Sequence, residues 1–143
     1  MCMEKYKKEG IMIIDNHQLD NLTSQAKASP RLRMNMDLRN SAEDKSQRML
    51  NALEPGTVMP IHRHMASSET VTLLRGRIRW HFYDDAGKEA ESVVLDANSD
   101  VRCINVEKAR WHSLECLESG SVLFESKDGK YEPLREEELM NID

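Results

Sequence analysis

The sequence predicts an all-β sandwich or barrel preceded by one short helix, and three observations predict it. From Arg48 onward the chain is a series of short apolar runs broken by turn residues. Residues 31–38 alternate strictly between polar and apolar. Residues 16–28 carry apolar side chains at helical spacing instead. At 143 residues the chain fits one compact domain around one core.

The elements follow in order. Met1 to Gly10 is charged and aperiodic, which predicts a loose N-terminal extension over residues 1–11. Asp15 with Gln18 three residues on has the pattern of a helix start, a side-chain acceptor capping the first free N–H groups. Leu19, Leu22 and Ala26 then recur on one helical face, and Ser29-Pro30 ends the helix because a residue before proline avoids the helical region. Leu32, Met34, Met36 and Leu38 alternate with Arg31, Arg33, Asn35 and Asp37, a half-buried strand. Asn40 to Gln47 reads as a loop. Strands are then expected at Met49–Leu53, Thr70–Leu74, Ile78–Tyr83, Ser92–Leu95, Val101–Val106, Trp111–Leu117 and Ser121–Phe124. They are separated by Pro55-Gly56, Arg75-Gly76 and Asp84-Asp85-Ala86-Gly87. One domain is expected over residues 12–133, followed by an acidic tail over 134–143 with a terminal helical turn near Glu136-Glu137-Glu138.

Composition excludes several classes of function. Twenty Lys+Arg against 25 Asp+Glu give a net charge of -5, and no basic stripe is present, so no nucleic-acid partner is expected. Ile11-Met12-Ile13-Ile14 is too short for a signal-peptide core or a membrane span. Cys2, Cys103 and Cys116 are odd in number and lack paired spacing, which points to a reducing cytoplasm. Cys103 and Cys116 are read as small buried apolar residues.

One constellation carries chemistry. His62 and His64 are two residues apart, so in extended chain both imidazoles point the same way. Met65 to Ser68 can turn the chain, and an antiparallel return would then set Glu69 across from the histidine pair, about 5 Å away at its Cβ. His112, beside Trp111 in a later strand, could close the site from the opposite wall. Three neutral imidazoles and one carboxylate suit a single divalent transition metal ion: zinc, iron, manganese, nickel or cobalt.

The wider spacing is more specific. Gly56, five residues, His62, one residue, His64, four residues, Glu69, six residues and Gly76 together resemble the first cupin motif without a gap. The second motif is eroded: Val101, Glu107 and Ala109 stand where glycine, proline and glycine are expected, and His112 alone remains. Further stretches are similar to the WbuC-type cupin fold metalloproteins often linked with bacterial O-antigen and surface-polysaccharide gene clusters. They are residues 28–33 (ASPRLR), 47–56 (QRMLNALEPG), 60–64 (PIHRH), 73–77 (LLRGR), Trp111-His112 and 120–131 (GSVLFESKDGKY). The resemblance implies a cupin-type antiparallel β-barrel, jelly-roll-like, with a short N-terminal helix and one bound metal. By analogy with cupins that pair through their sheets, it also implies a homodimer.

Other residues are candidates for the pocket. Leu123, Glu125 and Lys127 share one face of the last strand, so Glu125 and Lys127 could reach in beside the metal, with Tyr131 just beyond. Arg31 and Arg33 share a face and could hold a carboxylate or phosphate, or simply face water. Ile78, Trp80 and Phe82 form a core face, which leaves His81 on the other side of its strand. The leading expectation is a metal-dependent enzyme or binding protein for a small polar metabolite. The resemblance makes that a sugar or nucleotide-sugar in polysaccharide synthesis. An iron-dependent dioxygenase and a non-catalytic metal-bound sensor or structural module are the alternatives, because fold does not fix function.

Overall fold

The computed structural model describes residues 7–8 and 10–140. The expected loose extension therefore lies largely outside the described residues, as do Cys2 and residues 141–143. Where the N-terminus is described, β1 (Lys7–Lys8) pairs antiparallel with β2 (Ile11–Met12).

Helix α1 spans Asn16–Ala28. Asp15 caps it, its carboxylate accepting the Gln18 backbone N–H at 3.0 Å, and Ser29 in extended conformation ends it. Its buried face is Gln18, Leu19, Leu22 and Ala26, the one-in-three-or-four spacing of a single helical stripe.

Eight further strands form two antiparallel sheets. They are β3 (Arg33–Asp37), β4 (Ser46–Leu53), β5 (Glu69–Arg75), β6 (Arg77–Tyr83), β7 (Glu89–Asp96), β8 (Cys103–Val106), β9 (His112–Cys116) and β10 (Ser121–Asp128). The larger sheet has the order β3-β4-β10-β5-β8 and the smaller β7-β6-β9. This is the antiparallel, jelly-roll-like barrel that the sequence predicts. Its main core lies between the sheets, where Leu53, Val71, Leu73, Ile78, Trp80, Leu95 and Leu123 are buried together. A second core lies on the outer face of the large sheet. There Leu19, Leu22 and Ala26 of α1 pack on Leu50 and Ala52 of β4 and Val122 of β10. Full burial of side chains such as Leu22 and Leu50 stabilises the fold by roughly 1.5–3 kcal/mol each.

The structure corrects several local expectations. Leu32 has φ 55 and stands in the turn before β3, not in the strand, so only Met34, Met36 and Leu38 pack on the helix side. β4 starts at Ser46, inside the expected loop, and β10 runs four residues past Phe124 to Asp128. Both extensions carry polar side chains because they pair with each other, Lys127 with Gln47 and Asp128 with Ser46. Cys116 is buried and its thiol donates to the Leu53 carbonyl at 3.3 Å, but Cys103 is exposed on the edge strand β8. Beyond Pro133 the acidic segment forms a 3-10 turn at Glu136–Glu138 and returns to the barrel, as described below. No helix among the described residues is long and apolar enough to cross a membrane.

Gly76 is the single residue between β5 and β6, with φ +84. A Cβ there would lie 2.7 Å from Ser121 Cα, and Ser121 Oγ accepts the neighbouring Arg77 N–H at 3.1 Å. Gly76→Ala therefore combines a left-handed backbone with a clash against main chain. It is expected to destabilise the domain by about 2–4 kcal/mol in urea unfolding, where Gly120→Ala, with nothing within 4 Å of its added Cβ, should cost clearly less.

Candidate metal centre

Three segments converge at one end of the barrel. His112 is the first residue of β9, and His62 pairs with it as an isolated antiparallel bridge, the two backbones exchanging hydrogen bonds of 2.9 and 3.0 Å. His64 follows two residues later, its carbonyl accepting the Ala109 N–H at 2.8 Å. One ring nitrogen from each of His62, His64 and His112 lies within 4.8 Å of the others, a group that could hold a metal ion.

Glu69 arrives by another route than the one the sequence predicts. As the first residue of β5 it pairs with Lys127 of β10 and Val106 of β8, not with the histidine segment. Its side chain still reaches the group, with Oε1 3.4 Å from His112 Nε2 and Oε2 3.8 Å from His64 Nε2.

The hydrogen bonds decide which nitrogens are available. Nδ1 of His62 lies 2.9 Å from the Pro60 carbonyl and Nδ1 of His112 lies 2.8 Å from the Arg110 carbonyl. A carbonyl only accepts, so each Nδ1 carries a proton, and whenever such a ring is neutral its Nε2 is left as a lone pair. Orientation of a ligating imidazole by a carbonyl on its other nitrogen is the usual arrangement around bound metals. Nε2 of His112 is buried and makes no hydrogen bond, and it looks across at a carboxylate oxygen. A buried nitrogen without a partner is costly. Two lone-pair donors facing each other in a buried site suit a cation, so the residues present fit a metal.

Electrostatics agree with this donor set. Burial, aided by His112, lowers the His62 pKa to about 4, and burial with Lys127 nearby lowers that of His64 to about 4. Both rings are therefore neutral at neutral pH. Burial opposes ionisation of Glu69, but His112, Lys127 and His64 outweigh it and hold the carboxyl well below its usual range. Glu125 goes the other way: burial, then the nearby Glu69 charge, push it up to about 7.

The group opens into a cavity of about 520 Å³. Leu53, Trp80, Leu114 and Leu123 form its apolar walls, and Trp80 stacks on His112 with ring centroids 5.6 Å apart. Gln47, Asn51, Glu125 and Lys127 supply the polar wall from β4 and β10. Asn51 donates to Glu125 Oε1 at 2.8 Å, and Lys127 Nζ lies 3.6 Å from Glu69 Oε2. Tyr131 also lines the cavity, but it is 49% exposed and has Arg39 over its ring. Arg33 lines the same cavity and donates to the Val58 carbonyl, whereas Arg31 is exposed in the preceding turn. His81 is elsewhere, on the far side of β6 between Glu89 and Glu115.

Sequence reasoning missed the closure of the centre by the C-terminal segment. Leu139 bridges His62 from the side opposite His112, and Met140 N–H donates to the Ile61 carbonyl at 3.0 Å. The Glu138 carbonyl accepts the Arg63 N–H, and the Glu138 carboxylate accepts both the Met65 and Arg135 N–H groups. Arg63 lies over the Trp111 ring at 4.2 Å and donates to the Glu137 carbonyl. The only sequence signal was an acidic residue on a short turn, which by itself names no partner 73 residues away.

Solved structures with the same architecture give the class: this is a cupin fold with a three-histidine group that could hold a metal. CapF of Staphylococcus aureus, a capsular polysaccharide assembling protein, superposes with a TM-score of 0.62 at 16% identity, over 73% of this chain and 30% of that one. An oxalate oxidase in complex with the substrate analogue glycolate gives 0.59 at 16%, over 73% and 55%. KdgF from Halomonas sp. gives 0.56 at 13%, over 72% and 84%. The chain thus spans about half the length of the oxalate oxidase it resembles. No curated protein sequence matches it. The chain belongs to the family described as a domain of unknown function (DUF6016), whose model matches residues 14–95.

The shifts at the centre set the pH response of the metal-free protein. Between pH 6.5 and about 4 the unfolded chain binds protons at His62 and His64 that the folded protein refuses, so stability falls as pH falls. Glu125 has the opposite sign: from its ordinary 4.5 to about 7 the folded form holds a proton that the unfolded form has lost. Glu125→Gln removes this opposition. The melting temperature of that variant in chelator should climb more steeply than wild type's from pH 4.5 to 6.5, and equal slopes would refute the assignment.

Proposed function

We propose that this chain is a metal-binding cupin in which His62, His64, Glu69 and His112 hold one divalent transition metal ion beside a cavity for a small polar metabolite. The observation that carries the reading is the buried Nε2 of His112, without a hydrogen bond and facing Glu69 Oε1 at 3.4 Å. The metal, when bound, supplies Lewis-acid polarisation of a carbonyl or hydroxyl oxygen, or activation of water. The ion is zinc, iron, manganese, nickel or cobalt by its donor set.

The chain's own residues supply the rest. Glu125, anchored by Asn51 through one oxygen, is poised to give or take a proton near neutral pH. Lys127 provides a half-buried positive charge 3.6 Å from Glu69. Leu53, Leu114, Leu123 and Trp80 limit water at the base of the cavity. Tyr131 is assigned to the cavity mouth.

The metabolite is proposed to be a sugar or nucleotide-sugar in bacterial surface-polysaccharide synthesis, and the protein a metal-dependent sugar-modifying enzyme. Two likenesses support this reading: the WbuC-type sequence resemblance, and the fold shared with a capsular polysaccharide assembling protein. The proposed setting is cytoplasmic, supported by the unpaired Cys103 and Cys116. A homodimer rests on analogy with other cupins.

Elemental analysis of purified protein tests the centre. His62→Ala and Glu69→Ala should each lose stoichiometric metal while Arg110→Ala keeps it; full occupancy in both of the first two would sink the assignment. Glu138→Ala leaves every proposed ligand in place but frees the loop that carries two of them. It should weaken metal affinity about tenfold or more in chelator competition, the usual cost of losing an outer hydrogen-bonding support.

A further inference from the structure

Four lysine and arginine side chains line the cavity, and three of them are engaged by partners away from the histidines. Arg33 donates to the Val58 carbonyl at 2.9 Å and to Met59 Sδ. Lys130 pairs with Glu43 at 2.9 Å, and Arg135 with Glu137 and Glu138. Lys127 differs from them. Its side chain is 14% exposed, and its ammonium faces Glu69 at 3.6 Å, in the histidine group itself.

That position has an electrostatic consequence. A divalent cation on the histidines and the Lys127 ammonium would share the single negative charge of Glu69. The inner end of the cavity would then carry unbalanced positive charge where burial makes it costly. An anionic ligand offsets it. The rest of the wall is mixed in charge, with Asp128, Glu132 and Glu138 beside Arg33, Lys130 and Arg135. Gln47 and Asn51 offer amide groups and Glu125 a carboxyl, which suit hydroxyl groups.

We propose that the cavity takes a polyhydroxylated carboxylate, such as a sugar acid, with Lys127 as the anchor of its carboxylate, in preference to a neutral polyol. The proposal rests on the metal-centre reading and narrows its substrate class. Lys127 and the metal would compete for Glu69, so removal of the ammonium should leave metal binding intact or strengthen it while ligand binding fails.

The test is calorimetric titration of manganese-loaded protein with D-gluconate and D-sorbitol, which differ by a carboxylate in place of a hydroxymethyl group. Wild type should bind gluconate at least tenfold more tightly than sorbitol. Lys127→Met should lose that preference yet hold manganese at least as tightly as wild type in chelator competition, which also shows that the variant is folded. Lys127→Arg should restore the preference. Sorbitol binding as tightly as gluconate, no measurable gluconate binding, or an unchanged preference in Lys127→Met would each overturn the proposal. Wild-type protein that takes up no manganese or other divalent metal would overturn the metal-centre reading and this proposal with it. Metal uptake without gluconate preference would overturn this proposal alone.

Discussion

The pairing of β4 with β10 is the constraint on which the rest of the molecule depends. Eight residues of each strand run in unbroken register, Ser46–Leu53 against Ser121–Asp128. Both strands lie inside the larger sheet, so both of their edges are hydrogen-bonded to neighbouring strands. Alternation along a strand then assigns each side chain. Leu50, Ala52 and Val122 point outward and require a cover, which α1 provides. Asn51, Glu125 and Lys127 point the other way and become the polar wall of the cavity. A slip of one residue would exchange the two sets, setting charged groups against the helix and leucine beside the histidines. The same ladder therefore fixes both the helix position and the chemistry of the site.

The centre itself is assembled from poor structural material. The segment carrying His62 and His64 belongs to no named strand, and it gains definition from single bridges on its two sides, to His112 and to Leu139. Those bridges, with the carbonyls of Pro60 and Arg110, orient two of the three imidazoles before any ligand arrives. Orientation at this level matters because a ligating lone pair must point within a narrow cone. The cost appears elsewhere, in a buried nitrogen with no hydrogen bond and in a carboxyl kept ionised against its burial. Sites that concentrate such local penalties are where function is expected.

Some of this was legible in the chain because its causes are local. Asp15, Gln18, Leu19, Leu22 and Ala26 place α1 through capping and period alone, and the bounds Asn16–Ala28 are those the sequence predicts. Polar residues on a concave working face hid the far end of β10, since Glu125, Ser126 and Lys127 break the apolar alternation by which a strand is recognised. Leu32 shows the opposite error, an alternation carried one residue too far into a turn. Glu69 was placed opposite the histidines in sequence order, whereas its backbone partners are Lys127 and Val106.

By itself the sequence determined the fold class, the helix and the residue types available to the candidate centre: three imidazoles and a carboxylate at fixed spacing. These depend on side-chain period and on chemistry that a residue carries wherever it sits. Only the tertiary structure decided which nitrogens are free, that Glu138 and Leu139 close the centre, that Glu125 is raised and Glu69 lowered, and that Lys127 faces the same carboxylate as the histidines. Each of those is a distance between groups far apart in the chain, and a distance of that kind exists only once the strands have paired.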